Sequence, residues 1–348
     1  MTILIDARPL VDPLQGGVTR VSQGLLPALV QAMPHDHLLF LTTGMKKPSL
    51  TLDRHLHITL PNKIWSSRCI LRQSSLDHLI HPIKPDLLFL PNLGFIGRPT
   101  YPYALLVHDI SFLIEPRWFG WKARLWHHAV QAQWLIEHAA MLFTVSERTK
   151  KDLLDLLQIP EHRITVIPLG LEVASPIQDL PPLLEYTRYV LALGGNNKRK
   201  NAVCAIQATK ELRKIPDYQD IRLVLLGTTP KQSYPDFVLS LGHPSDRARD
   251  TLFRHASAFL YPSWYEGFGL PLHEAARFQT PCISSTAGAL PETAPTGTLF
   301  ATPNKPHHWM KAMEMILKKP EVYSTHTHLT DWKAAAHIVQ EKLATIGG

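Results

Sequence analysis

Charged side chains make up only 19% of the 348 residues and cysteine occurs three times. No uninterrupted apolar run approaches the roughly 18 residues that a membrane-crossing helix requires. Cys69, Cys204 and Cys282 are scattered, odd in number and without C-x-x-C spacing. That pattern argues against a disulfide framework and fits a reducing compartment. The chain opens on the strand-like TILID, with neither the charged nor the apolar region of a secretory signal, so a cytoplasmic location is expected. No Asp-x-Asp pair is present. The stretch His273 to Arg277 reads HEAAR, with arginine where a zinc HExxH needs histidine, and GFGLPL does not complete G-x-G-x-x-G. No metal and no cofactor is therefore expected. Zinc-finger spacing, RNP-like aromatics and basic-region heptads are also missing, so nucleic acid is not an expected partner despite the formal charge of +7. That charge suits phosphate-bearing small molecules instead.

What is present is an ordinary globular composition, 45% hydrophobic, in a chain too long for one core. Strand-like runs alternate with helix-like segments: TILID, an amphipathic stretch near 18–32, HLLFLTT, HITLP, DLLFLPN, YALLVHD, then a long helical stretch leading into AMLFTVS. The rhythm restarts at RYVLALGG and continues through a helical 201–214, IRLVLLG, FVLSLG, AFLYPS and PCISS. Such alternation predicts an α/β protein with two Rossmann-like, doubly wound parallel sheets. Residues 173–187 are rich in proline and lack periodicity, as a linker would. The predicted divisions are 1–172, the linker 173–187, 188–325, and a terminal helix within 326–348. Ligands of such sheets gather at the carboxyl ends of the strands, so a cleft between two facing domains is the expected site.

The stretch YPSWYEGFGLPLHEAA places Glu266 and Glu274 on either side of Gly267, Phe268, Gly269 and Leu270. Two glycines disfavour one continuous helix. A loop over Glu266–Gly269 with a helix starting near Leu270, and Pro271 in its first turn, fits better. Backbone N–H groups beside the glycines and the helix start suit an anion, while carboxylates accept hydrogen bonds from hydroxyls. A ligand anionic in its middle and hydroxylated at both ends matches, as a nucleoside-diphosphate sugar is. The same residues also fit a simple turn, with Glu274 favouring the helix dipole.

YPSWYEGFGLPLHEAARFQTPCISSTAGALPE resembles the Glu-x7-Glu signature of retaining glycosyltransferases of family 4. The resemblance extends to IDARPL with GGVTRV, ALLVHDISFLIEPRWF, FTVSERTKKDLLDLLQIPEHRITVIPLGLE, LALGGNNKRKN and TDWKAAA, and is to the bacterial mannosyltransferase-like branch. It implies the GT-B architecture, with an N-terminal acceptor domain, a C-terminal nucleotide-sugar domain and a terminal helix crossing back to the former. It implies that Glu266 meets the donor sugar's hydroxyls and Glu274 the ribose. Gly267, Phe268, Gly269 and Leu270 would offer backbone N–H groups, and Arg199 and Lys200 would hold the diphosphate. His108, after YALLVHD, would lie at the donor sugar, its neighbour Asp109 being also a candidate helix cap. Gly17, beside Gly16, would allow close approach of the backbone. Three departures stand out: Gly195 where many relatives carry arginine, Gln279 in place of a glycine, and Ser257 in place of an acidic residue.

The expected partners are a GDP- or UDP-linked sugar and a glycan or lipid-linked acceptor of surface polysaccharide or lipopolysaccharide. NKIWSSRCILRQ (62–73) and EPRWFGWKARLWHHAVQAQW (115–134) mix aromatic and basic residues, as a surface for peripheral contact with an anionic membrane would. Trp118, Trp121, Trp126 and Trp134 fit a core helix equally well. Two rival functions share this architecture: a nucleotide-sugar epimerase, and a non-catalytic scaffold of a transferase complex.

Overall fold

The computed structural model describes residues 1–11, 16–33, 37–45, 54–60, 62–70, 77–185, 187–194, 197–227 and 233–346. Gly195, the first departure, lies outside them. The chain divides into two compact units, one of 1–116, 120–170 and 330–348, the other of 117–119 and 171–329.

The first unit is built on a seven-stranded sheet: β1 (Thr2–Asp6), β2 (His37–Gly44), β3 (His55–Thr59), β4 (Leu87–Leu90), β5 (Tyr103–Val107), β6 (Met141–Thr144) and β7 (Ile164–Val166). The second holds six: β8 (Tyr189–Leu193), β9 (Arg222–Leu226), β10 (Val238–Ser240), β11 (Ala258–Tyr261), β12 (Cys282–Ser285) and β13 (Leu299–Ala301). The orders are β3-β2-β1-β4-β5-β6-β7 and β10-β9-β8-β11-β12-β13, with parallel pairing throughout. LLFL, YALLV and AFLY are buried along their whole length, as strands covered on both faces must be. Strand direction of travel reverses between β1 and β4 in one sheet and between β8 and β11 in the other, and each reversal opens a crevice beyond the strand ends.

Period-two alternation sorts the second core into two layers. Val190, Ala192, Leu223, Leu225 and Leu260 face one side, against Trp309 and Met313. Tyr189, Leu191, Val224, Phe259 and Tyr261 face the other, against Leu272 and Leu290. In the first unit the terminal helix Lys333–Ala344 packs on the helix Gly17–Ala32. The buried Trp332 ring closes that contact: a Cβ on Gly24 would lie 1.9 Å from its Nε1, and one on Gly170 would lie 2.8 Å from its Cδ2.

One expectation needs correction. The long helical stretch before β6 is broken into Ser111–Ile114, a 3-10 turn Pro116–Trp118, Trp121–Ala129 and Ala132–His138. Pro116 and the extended Gly120 interrupt it first, and Gln131 then enters the left-handed region at φ 56°. Residues 171–178 run along the second unit: Ser175 N–H donates to Asp250 Oδ2 at 2.8 Å and Gln178 N–H to Thr251 Oγ1 at 3.0 Å.

Gln279 adopts φ +61° just past the helix Leu270–Ala276, which explains why glycine suits this place. A left-handed side chain costs roughly 1–2 kcal/mol, partly offset by the greater freedom a glycine loses on folding. Gln279→Gly should raise stability by up to about 1 kcal/mol, measured by urea unfolding; a destabilised variant would contradict this reading.

Candidate active site

The loops after β8 and β11, beside the second sheet's reversal, bring Arg199, Lys200 and Glu266 together. In NKRKN, the Asn197 side chain accepts from Arg199 N–H at 3.1 Å and its carbonyl from Lys200 N–H at 3.0 Å, winding Lys198–Lys200 into one 3-10 turn. Asn201, at φ 54°, ends the turn and donates its amide to Pro262 O at 3.1 Å and Pro303 O at 2.8 Å. Trp264 N–H donates to Arg199 O at 2.8 Å, so the two loops are stitched backbone to backbone. Their cations thus arrive at the Glu266 carboxylate on a fixed frame.

Glu266 is only 6% exposed. Its Oε1 accepts from Lys200 Nζ at 2.8 Å and its Oε2 from Arg199 Nη1 at 3.0 Å. Arg199 Nη1 also donates to Tyr265 O at 2.7 Å, and Lys200 Nζ to the Tyr261 hydroxyl at 2.7 Å. Burial alone would push the Glu266 carboxyl up, but the charges of Arg199 and Lys200 outweigh it and hold the group down at about 2. Burial, with the Glu266 charge added, pushes the Tyr261 phenol well above its usual value, so it stays neutral. Two cations against one carboxylate leave the trio with one positive charge in excess.

Gly269, at φ 105°, turns the chain into the helix Leu270–Ala276 with Pro271 in its first turn, as the sequence predicts. Phe268 stacks on His273 and its carbonyl accepts from the Thr293 hydroxyl. Gly288, at φ 61°, lies against the Glu266 backbone: a Cβ there would sit 2.5 Å from Glu266 O and 2.7 Å from its N. Ala289 N–H donates to Glu266 O at 2.9 Å, so the later STAGALPE segment buttresses the glutamate from behind. Glu274, 5% exposed on the helix, lies 3.6 Å from Arg249 Nε. Arg249 and Arg277 both reach the buried Asp250, at 3.3 and 2.7 Å.

His273, the histidine of HEAAR, points away from metal chemistry. Its Nε2–H donates to Thr293 O at 2.7 Å and its Nδ1 accepts from the Thr327 hydroxyl at 2.8 Å. Burial pulls this imidazole down to about 4, so it is neutral and structural.

The first unit supplies the remaining predicted residues. His108 follows β5, half-buried, and Nε2–H donates to Pro91 O at 2.9 Å, which leaves Nδ1 as an acceptor. Burial pushes its imidazole below the ordinary value. Asp109 accepts from Ser111 N–H at 2.9 Å, the capping role weighed for it above. Gly17 begins the helix Gly17–Ala32, and no heavy atom stands within 4 Å of where its Cβ would be. It lines a 560 Å³ cavity at the first sheet's reversal, with Asp6, Arg8, Asn92, Trp65, Phe95 and Trp126. Arg8 is held there by a two-point pairing with Asp6 at 2.7 and 2.6 Å.

The aromatic segments separate by burial. Trp65 is core, its Nε1–H donating to Phe95 O at 2.6 Å, and so it belongs to no exposed surface. Trp134 is half-buried under Arg98. Trp121 and Leu125 stand 65% and 58% exposed on the helix Trp121–Ala129, beside exposed Lys122 and Arg124. Among the described residues no helix is long and apolar enough to cross a membrane.

Two doubly wound parallel units, each with its strand reversal, define the GT-B class of fold. The sucrose-phosphate synthase from Thermosynechococcus elongatus superposes with TM-score 0.74 at 18% identity, over 99% of both chains. The family model described as Glycosyltransferase Family 4 matches residues 15–175, and that described as Glycosyl transferases group 1 matches residues 187–319. The chain belongs to these glycosyltransferases. It is similar to the O-antigen chain mannosyltransferase B of Escherichia coli, 28% identical over 57% of this chain and 56% of that one. It is also similar to the O-antigen chain mannosyltransferase RfbU of Salmonella typhimurium, 26% identical over 64% and 62%. The chain thus spans somewhat more than half the length of these curated relatives.

His273 gives stability a sign with pH. Its unfolded imidazole takes a proton near 6.5 and its folded one only near 4, so the unfolded state binds more protons in between. Its contribution is complete above about pH 6.5 and falls away as pH drops toward about 4. Urea midpoints should decline over that window, His108 and His127, also lowered by burial, adding slope of the same sign. His273→Gln should be less stable at neutral pH and show a shallower decline. An unchanged slope would contradict the assignment.

Proposed function

We propose that this protein moves a hexosyl group from a nucleoside-diphosphate sugar to a hydroxyl of a glycan or lipid-linked sugar, with retention at the anomeric carbon. Surface polysaccharide or lipopolysaccharide is the proposed product, and mannose on GDP the favoured donor, since both relatives named above are O-antigen mannosyltransferases. The observation that carries the reading is the buried Arg199–Glu266–Lys200 trio at the β8/β11 reversal. Arg199 and Lys200 hold the diphosphate and stabilise the charge that grows as it leaves. Glu266 holds the sugar's hydroxyls, Glu274 the ribose, and Gly267, Phe268, Gly269 and Leu270 supply backbone donors. His108 contributes the Nδ1 acceptor to a sugar hydroxyl, and its neutral state supports that role. In this mechanism the acceptor hydroxyl attacks the oxocarbenium-like sugar on the face from which the diphosphate departs. The departing phosphate takes the hydroxyl's proton, and Glu266 forms no covalent bond.

The reaction proposed is metal-independent, because in it cationic side chains do the work a divalent ion would do. The 560 Å³ cavity of the first unit, walled by Trp65, Phe95 and Trp126, suits the apolar face of an acceptor sugar. Trp121 and Leu125, flanked by Lys122 and Arg124, fit peripheral binding to an anionic inner membrane face.

In a thermal-shift panel of GDP- and UDP-linked hexoses, the true donor raises the melting temperature; no response to any of them rejects the reading. Lys200→Ala should lower turnover by about 10²-fold or more while EDTA leaves the wild type unchanged. Unimpaired turnover in the variant, or loss of turnover with EDTA, contradicts the roles given. Sedimentation with phosphatidylglycerol vesicles at low salt should carry the protein down, and Trp121→Ser should release it. Absence of binding removes the membrane proposal.

A further inference from the structure

Glu266 spends both carboxylate oxygens on the two cations assigned to the diphosphate, at 2.8 and 3.0 Å. Those cations cannot make the same bonds to a phosphate and to Glu266 at once. We propose that Glu266 is the resident counter-anion of the Arg199–Lys200 pair, so that binding is an anion exchange which an intact sugar nucleotide completes and a free nucleoside diphosphate does not. The inference rests on the sugar-nucleotide reading of this site and adds a specificity-determining role: discrimination of donor from product.

The physical basis is the cost of a buried charge that loses its partners. When phosphate oxygens take Arg199 and Lys200, the carboxylate, 6% exposed, gives up two charge-assisted hydrogen bonds. Its backbone is held in place, with Gly288 lying against it and Ala289 N–H donating to its carbonyl. Without those cations nothing offsets burial, which by itself pushes the carboxyl up, so the charged form is left in an unfavourable place until other donors reach it. Hydroxyls of a donor hexose replace the lost donors and satisfy it. After transfer the hexose is gone, no sugar hydroxyl meets Glu266, and the carboxylate competes with the remaining phosphate for its cations. The anchors on the far side of each cation keep the exchange local. Lys200 retains the Tyr261 hydroxyl at 2.7 Å and Arg199 retains Tyr265 O at 2.7 Å, so both stay in place as their anionic partner changes. The counter-anion thus favours departure of the spent nucleotide.

The test compares GDP-mannose with GDP, and UDP-glucose with UDP, by isothermal titration without acceptor. In the wild type the intact donor should bind roughly tenfold tighter than its own nucleoside diphosphate, although the latter carries more negative charge. Glu266→Gln keeps the shape and removes the competing charge: the nucleoside diphosphate should bind about threefold tighter or more, and the donor's advantage should shrink to near unity. A sugar-contact role alone would weaken the donor and leave the diphosphate unmoved, and a purely structural role would weaken both. Either result overturns the proposal. If Glu266→Gln melts before titration, the wild-type ratio decides, since a diphosphate as tight as the donor rejects the exchange. A wild type that binds none of the four nucleotides sinks the underlying donor-site reading instead.

Discussion

The site depends on one arrangement, a buried carboxylate shared between two cations that reach it from adjacent residues of another loop. Taking these three groups from water costs several kcal/mol per ion, which only good geometry repays. The structure supplies that geometry by rigid means. Asn197 and Asn201 fix the cationic turn, and Trp264 ties it to the glutamate's own loop. Gly288 allows a third segment to lie directly against the Glu266 backbone. In the function proposed, the excess positive charge of the trio receives phosphate and the carboxylate receives hydroxyls, two opposite tasks served from one place.

The fold explains why these residues meet. Parallel strands deliver their following loops to one edge of the sheet, and the reversal between β8 and β11 leaves those two loops as neighbours with no crossover helix between them. Residues 199 and 266, far apart in sequence, come within 3.0 Å for that reason. The same geometry in the first unit brings the β1 and β4 loops to the walls of its cavity. The first unit thus has a cavity at its reversal and the second a buried charged trio at its own.

Much of this was legible in the chain. Continuous apolar runs such as LLFL and AFLY announce buried parallel strands, and the Gly-Phe-Gly-Leu-Pro run announces the turn into a helix beginning at Leu270. The division of the tryptophans was not legible, because Trp65 and Trp121 sit in equally basic, equally aromatic stretches and only tertiary packing buries one of them. The helix break at Gln131 was hidden because a left-handed glutamine has no sequence signature. Tyr261, Gly288 and Arg249 were missed as parts of the site. Tyr261 reads as an ordinary last residue of a strand, and Gly288 lies in a stretch whose glycine gives no hint of its contact with Glu266. Gln279 was visible as a departure from the family pattern, and its positive φ supplies the physical reason for that pattern.

The most direct measurement is a crystal structure with an intact donor such as GDP-mannose bound. The account predicts Arg199 and Lys200 on the diphosphate oxygens, Glu266 released from both and accepting from hexose hydroxyls, and Tyr261 still holding Lys200. A bound donor with Glu266 still bridging the two cations, or with its phosphates away from residues 199 and 200, would contradict it.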